Sequence, residues 1–216
     1  MKMYFFPLLA VLVWGGVSCA SNKTASFVGE NDDFLTDDSG AGSVALGNVD
    51  VGIIKAFSSK VAKESAAAVY DGTNDIVTLE FQSAGGTHNR QYWTARARDG
   101  FIGALAQYEA SYEARDLPRG FLSSGKRNVY GKSEILIHWW ALSFSNRSRG
   151  QSRLDFGYLF KDRNPYFTVT QNEAKDTYVN PKNNSAQVTL YFTRAMAQEL
   201  AALFAEENLY ASISRQ

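Results

Sequence analysis

Alternation with a period of two dominates this 216-residue chain. From Asp75 to Gln82, Val77, Leu79 and Phe81 alternate with Ile76, Thr78 and Glu80, which predicts a strand with one apolar face. Arg90 to Ala97 repeats the pattern, with Trp93, Ala95 and Ala97 set against Tyr92, Thr94 and Arg96. The intervening Ser83 to Asn89 holds Gly85-Gly86 and makes the pair a hairpin. Ser133 to Ser145 is apolar on both faces, Ile135, Ile137, Trp139 and Ala141 on one and Leu136, Trp140, Leu142 and Phe144 on the other. That is the mark of a central strand covered on both sides. Arg153 to Lys161, Tyr166 to Gln171 and Ala186 to Thr193 alternate again.

Three stretches repeat at helical spacing instead. Asp50 to Tyr70 carries Ile54, Phe57, Val61 and Ala68; Asp99 to Arg115 carries Phe101, Leu105, Tyr108 and Tyr112, with Asp99 as its N-cap. Arg194 to Asn208 carries Met196, Leu200 and Leu203 behind a Thr193 cap. The expected order is helix, two strands, helix, four strands, helix. Hairpin-length connections make this an α+β fold, a mainly antiparallel sheet of about six strands with three helices packed on one face.

The first nineteen residues obey neither rule. Lys2 precedes an apolar run from Met3 to Trp14, broken only by Pro7, and small residues Gly15 to Ser18 lead to Cys19. A charged start, an apolar run of this length and a small-residue exit describe an export signal, and the run is too short to span a bilayer. Gly16-Val17-Ser18-Cys19 resembles the lipobox of bacterial lipoproteins. The resemblance implies that Cys19 becomes an acylated N-terminus, carrying chains such as palmitate, and that the protein reaches its membrane through that lipid anchor. Ala20 and Ser21 replace the aspartate that retains some lipoproteins at the inner membrane, so the resemblance points to the outer membrane. Cys19 is the sole cysteine, and no disulfide is expected.

Charge changes the picture locally. Lys and Arg total 22 and Asp and Glu total 22, a balance that creates no field for nucleic acid. Between Ala20 and Asp50, however, Lys23 stands against Glu30, Asp32, Asp33, Asp37, Asp38 and Asp50 among Ser, Gly and Asn. Residues 19–47 therefore read as a flexible acidic tether spanning on the order of 30 Å. Residues 1–18 are the signal, and 48–216 form a single domain.

Candidate chemistry is sparse. His88 and His138 are the two histidines, short of the ligand count of a zinc site, and His138 reads as a satisfied core residue. No phosphate-binding Gly-x-x-x-x-Gly-Lys loop, dinucleotide fingerprint or Gly-x-Ser-x-Gly elbow occurs, and the Asp pairs lie in the tether. No metal, cofactor or nucleic acid is expected. The region from Arg90 to Arg163 has thirteen Lys or Arg against seven Asp or Glu. Arg147, Arg149 and Arg153 flank one turn, and Arg119, Lys126, Arg127 and Lys132 another. Tyr92, Arg96 and Tyr191, with Thr168, Thr170 and Thr189, lie on the polar sheet face. The binding residues expected are Arg147, Arg149, Arg153, Tyr92, Arg96 and Tyr191. Together these features predict a lipid-anchored envelope protein whose non-catalytic domain binds an envelope protein or an anionic envelope polymer. The alternatives are a hydrolase with a cleft around His138 or His88, and a purely structural envelope component.

Overall fold

Eight antiparallel strands, each paired with the next and the last with the first, close into a barrel. They are β1 (Ser43–Ile54), β2 (Val61–Asp71), β3 (Ile76–Gln82), β4 (Thr87–Thr94), β5 (Asn128–Ala141), β6 (Ser148–Lys161), β7 (Asn164–Gln171) and β8 (Val188–Phe192). Helix α1 (Ala95–Glu113) joins β4 to β5, and α2 (Arg194–Phe204) and α3 (Glu206–Ile213) follow β8. The computed structural model describes residues 42–118, 128–141 and 147–214. Cys19, the export signal, nearly all of the tether, and Arg119, Lys126 and Arg127 lie outside the described residues. β1 begins at Ser43, inside the segment read from sequence as tether.

The open six-stranded sheet expected from sequence is therefore incorrect. The main reason is Asp50 to Tyr70, which forms most of β1 and β2 rather than a helix. Val49, Val51 and Ile53 alternate into the interior, and β-branched residues suit a pleated strand. Ala66, Ala68 and Tyr70 do the same on β2, but Ala67 between the alanines hides the alternation in sequence. Phe57, counted on the helical stripe, sits in the connecting turn at φ 62° and is fully exposed. Gly52 permits closure of the barrel. A Cβ there would meet Tyr191 O at 2.7 Å and Val61 Cγ1 at 2.5 Å, and Gly52 is the β1 residue registered with Tyr191 of β8.

Register places all three helices at one end. Ser43 pairs with Asp71, Ile76 with Thr94, Asn128 with Tyr158 and Phe167 with Phe192, so α1 and α2 leave from the same rim. The helices thus cap an end instead of covering a face. α1 is capped five residues earlier than expected, at Thr94 instead of Asp99, where the Thr94 hydroxyl accepts from Ala97 N–H. It drives Phe101 among Trp93, Phe156, Phe167, Phe192 and Phe204, with ring centroids 5.4–6.3 Å from its own. All six rings are at most 2% exposed, so the interior is solid here.

A polar thread crosses that interior between opposite walls. Trp93 Nε1 donates to Gln91 Oε1, Gln91 Nε2 donates to Gln171 Oε1, and Asn89 Nδ2 donates to Ser83 Oγ. Gln91 and Gln171 are fully buried, and their mutual bond avoids the penalty of unpaired amides. Outward positions carry Asp50, Lys63, Glu80, Arg90, Glu134, Arg149 and Arg153. That is the reverse of the apolar band on a membrane-spanning barrel.

Burial raises the phenols of Tyr70 and Tyr158 to about 12, and that of Tyr108 further still. A folded-state value above the ordinary 10 leaves stability intact below pH 10 and removes it as pH climbs toward 12. Absorbance titration is expected to show three of the eleven tyrosines silent at pH 11 and ionising only as the barrel unfolds.

Candidate functional site

Most of the outer wall is ordinary charged and hydroxylated surface. Across β4, β5 and the start of β6 it is not. Strand alternation turns His88, Arg90 and Tyr92 outward from β4, and register sets them beside Trp140, His138 and Leu136 of β5. Arg149 follows beside His138 on β6. Two histidines, two aromatics and three guanidinium groups, Arg147 included, so share one surface.

Trp140 is the centre of the cluster. His88 stacks on it at 5.3 Å with rings 6° from parallel. The guanidinium carbons of Arg147 and Arg90 lie 5.0 Å and 5.6 Å from its ring centroid, within cation–π range. The indole is 3% exposed despite pointing away from the core. Its Nε1 has no hydrogen-bond partner among the described residues. Arg90 is oriented by Glu80, which accepts from its Nε and Nη2 at 3.0 and 2.8 Å. Beside this stack, the Tyr92 hydroxyl meets His138 Nδ1 at 3.2 Å. His138 is thus buried on the outer wall and not in the core, as the sequence suggested.

The β7–β8 connection completes the surface. Asp176 is 1% exposed and accepts from the N–H groups of Tyr178, Val179 and Asn180. Burial alone would raise its carboxyl. Those N–H groups and the Ser148 hydroxyl outweigh that effect and hold it well below the usual carboxylate range. The loop so fixed lays the exposed Tyr178 ring 4.2 Å from the Arg149 guanidinium. Gly150 allows the approach, because a Cβ there would fall 2.2 Å from Lys175 O.

Of the six binding residues expected from sequence, Tyr92, Arg147 and Arg149 meet here. Arg153 lies further along β6 and is drawn to Asp155 at 2.9 Å. Arg96 is exposed in the first turn of α1. Tyr191 projects from β8, edge-on to Tyr166 at 6.1 Å, two strands beyond β6. Thr168, Thr170 and Thr189 share that outer wall, where Thr170 and Thr189 join their hydroxyls at 3.0 Å. The polar sheet face is thus the convex outside of a closed barrel and forms no concave binding surface. Arg90 and Trp140 were not expected, and His88 and His138 were named from sequence only as the surroundings of an alternative hydrolase cleft, not as binding residues. Their equal parity with Tyr92 and Leu136 was the available signal. Among the described residues no group of three or more His, Cys, Asp or Glu could hold a metal.

A second feature lies at the helical end, a groove of about 570 Å³ between the start of β1 and α2–α3. A family model described as "Uncharacterised Treponema protein" matches residues 43–211, from the first residue of β1 into α3. No curated protein and no solved structure matches the chain.

Proposed function

We propose that this chain, which belongs to the uncharacterised Treponema protein family, is an exported, lipid-anchored binding module that recognises an anionic partner in the cell envelope through the wall around Trp140. The observation that carries the reading is Trp140 itself. An outward tryptophan on a convex barrel wall is enclosed by His88, Arg90 and Arg147, and its buried Nε1 meets no acceptor among the described residues. The surrounding cations suit a carboxylate-rich ligand. Glu80 pairs with one of these cations, Arg90. The solid interior supports an outer-surface mode of binding. The anchor rests on the Met1 to Cys19 pattern and would place the barrel on the outer membrane.

Binding to poly-L-glutamate at low salt, against neutral dextran as control, tests the module. The Arg147→Ser, Arg149→Ser double variant is expected to bind at least tenfold more weakly, with a shallower salt dependence. Equal binding by the variant and the parent would remove this wall from the reading. In cells, Cys19→Ser should abolish palmitate labelling and release the protein from the membrane fraction.

A further inference from the structure

Hairpin connections form the end of the barrel away from the helices. Two of them follow the register pairs Ile54↔Val61 and Gln171↔Val188, and both carry exposed apolar side chains at their tips. In the β1–β2 turn every residue from Lys55 to Lys60 is exposed, and Phe57 fully so. The β7–β8 hairpin continues past its strands through a bridge between Lys175 and Asn184. Beyond that bridge Tyr178 and Val179 are 68% and 50% exposed, followed by the exposed Pro181 and Lys182.

Both tips have a fixed shape. Ser58 N–H donates to Lys55 O at 3.0 Å, and Lys60 N–H donates to the Ser58 hydroxyl at 3.1 Å. In the second tip Asp176 holds three successive N–H groups, and Asn183 N–H donates to Asn180 O at 2.8 Å. Phe57 sits at φ 62° in its turn, a left-handed position where glycine is relaxed and a bulky residue is strained. Its ring lies outside the core, so packing does not account for a phenylalanine there.

Each tip also joins an aromatic ring to lysine. Lys55 and Lys60 flank Phe57, and Lys182 follows Tyr178 and Val179. Lys55 is drawn to Glu64 at 2.5 Å, whereas Lys60 and Lys182 stand at exposed positions. This pairing of groups matches the boundary of an anionic bilayer. Aromatic rings settle there between headgroups and acyl chains, and ammonium groups meet phosphates. An acidic polymer would engage the lysines but would offer Phe57 no apolar phase.

We propose that these two tips rest on an anionic phospholipid surface, with Phe57 and Val179 at the headgroup–acyl boundary and Lys60 and Lys182 on the phosphates. The proposal rests on the export and lipid-anchor reading for the presence of a membrane. From Cys19 to Gly42 the chain can extend to roughly 75 Å, against about 40 Å for the twelve residues of β1. An acyl chain at Cys19 therefore leaves this end free to meet the same bilayer.

The test uses the mature chain, residues 19–216 with Cys19→Ser, so that neither the apolar run of the signal nor an acyl chain contributes. It is sedimented with vesicles of equal parts phosphatidylglycerol and phosphatidylcholine, where binding is expected, and with phosphatidylcholine alone, where binding should be about tenfold weaker. Phe57→Gly should weaken binding to the mixed vesicles about tenfold, and Phe57→Trp should preserve it. The urea midpoint of Phe57→Gly should not fall, because glycine relaxes the left-handed position. Lys60→Gln with Lys182→Gln should cost about tenfold and flatten the salt dependence. Phe57→Gly should leave poly-L-glutamate binding unchanged, and the assay needs no palmitate, so failure of the Trp140 wall or of the anchor is read apart from failure here. Equal binding by the parent and Phe57→Gly would overturn the proposal. So would equal binding to both vesicles, or no binding at millimolar lipid, which would leave the tips to a protein partner.

Discussion

Trp93→Ala is expected to destabilise the barrel by about 3–5 kcal/mol, the range for removing a buried aromatic from a packed core. Trp93 is fully buried and packs on Phe101, Phe156 and Phe204 with centroids 5.9, 5.9 and 5.0 Å away. Two of those rings come from the helical cap, so the cavity would loosen α1 and α2 together. The substitution also strips Gln91 Oε1 of its donor, and an unmet acceptor at a fully buried amide adds to the loss. Urea unfolding followed by far-UV circular dichroism measures the effect. Trp93→Phe separates the parts, since it keeps most of the ring volume and loses only the N–H. A cost below about 1 kcal/mol for Trp93→Ala would mean that the interior is not packed as described.

The second large effect is expected at Asp75. Arg98 of α1 is almost wholly buried, and its Nη2 meets Asp75 Oδ1 at 2.6 Å. Its Nη1 donates to the carbonyls of Asp75 and Trp93. The Tyr70 hydroxyl donates to the same Asp75 oxygen. Asp75→Ala would leave a buried guanidinium without its counter-charge. It would also put alanine at φ 54°, a left-handed position that aspartate tolerates better. Because Asp75 is half exposed, the expected cost is about 2–4 kcal/mol, below that of a fully buried pair. Arg98→Met is expected to cost less, since the carboxylate it leaves unpaired, Asp75, is half exposed to water. Unfolding midpoints of the two variants decide the order.

Where one strand face was strongly apolar, the sequence told the truth. Val77, Leu79 and Phe81 do line the interior, and the strands through Phe156, Val169 and Leu190 lie where alternation put them. Closure was not legible, because it depends on β1 and β2, where small alanines fill the interior and blur the period. The start of α1 was missed for a local reason. Thr94 and Asp99 are both good caps, and only packing of Phe101 into the barrel selects the earlier one. The candidate site was half legible. Arg147, Arg149 and Tyr92 announced themselves by charge and type. His138 and Trp140 read as core because an apolar outward face looks, in sequence, like a second buried one. Arg96 and Tyr191 had the right chemistry on the wrong surface.

The seam between the first and last strands bears on how the protein is made. A meander of neighbouring hairpins can form progressively as the chain emerges. Sealing the cylinder requires Gly52 and Tyr191 to find each other across nearly the whole sequence of the domain, the kind of distant pairing that slows folding. Phe192 and Phe204, which complete the aromatic cluster, arrive just as late. A chain threaded through a translocation channel from its N-terminus would therefore stay unsealed until its last strand had crossed. Under the proposed export, that delay would keep the chain in the unfolded form that such a channel admits.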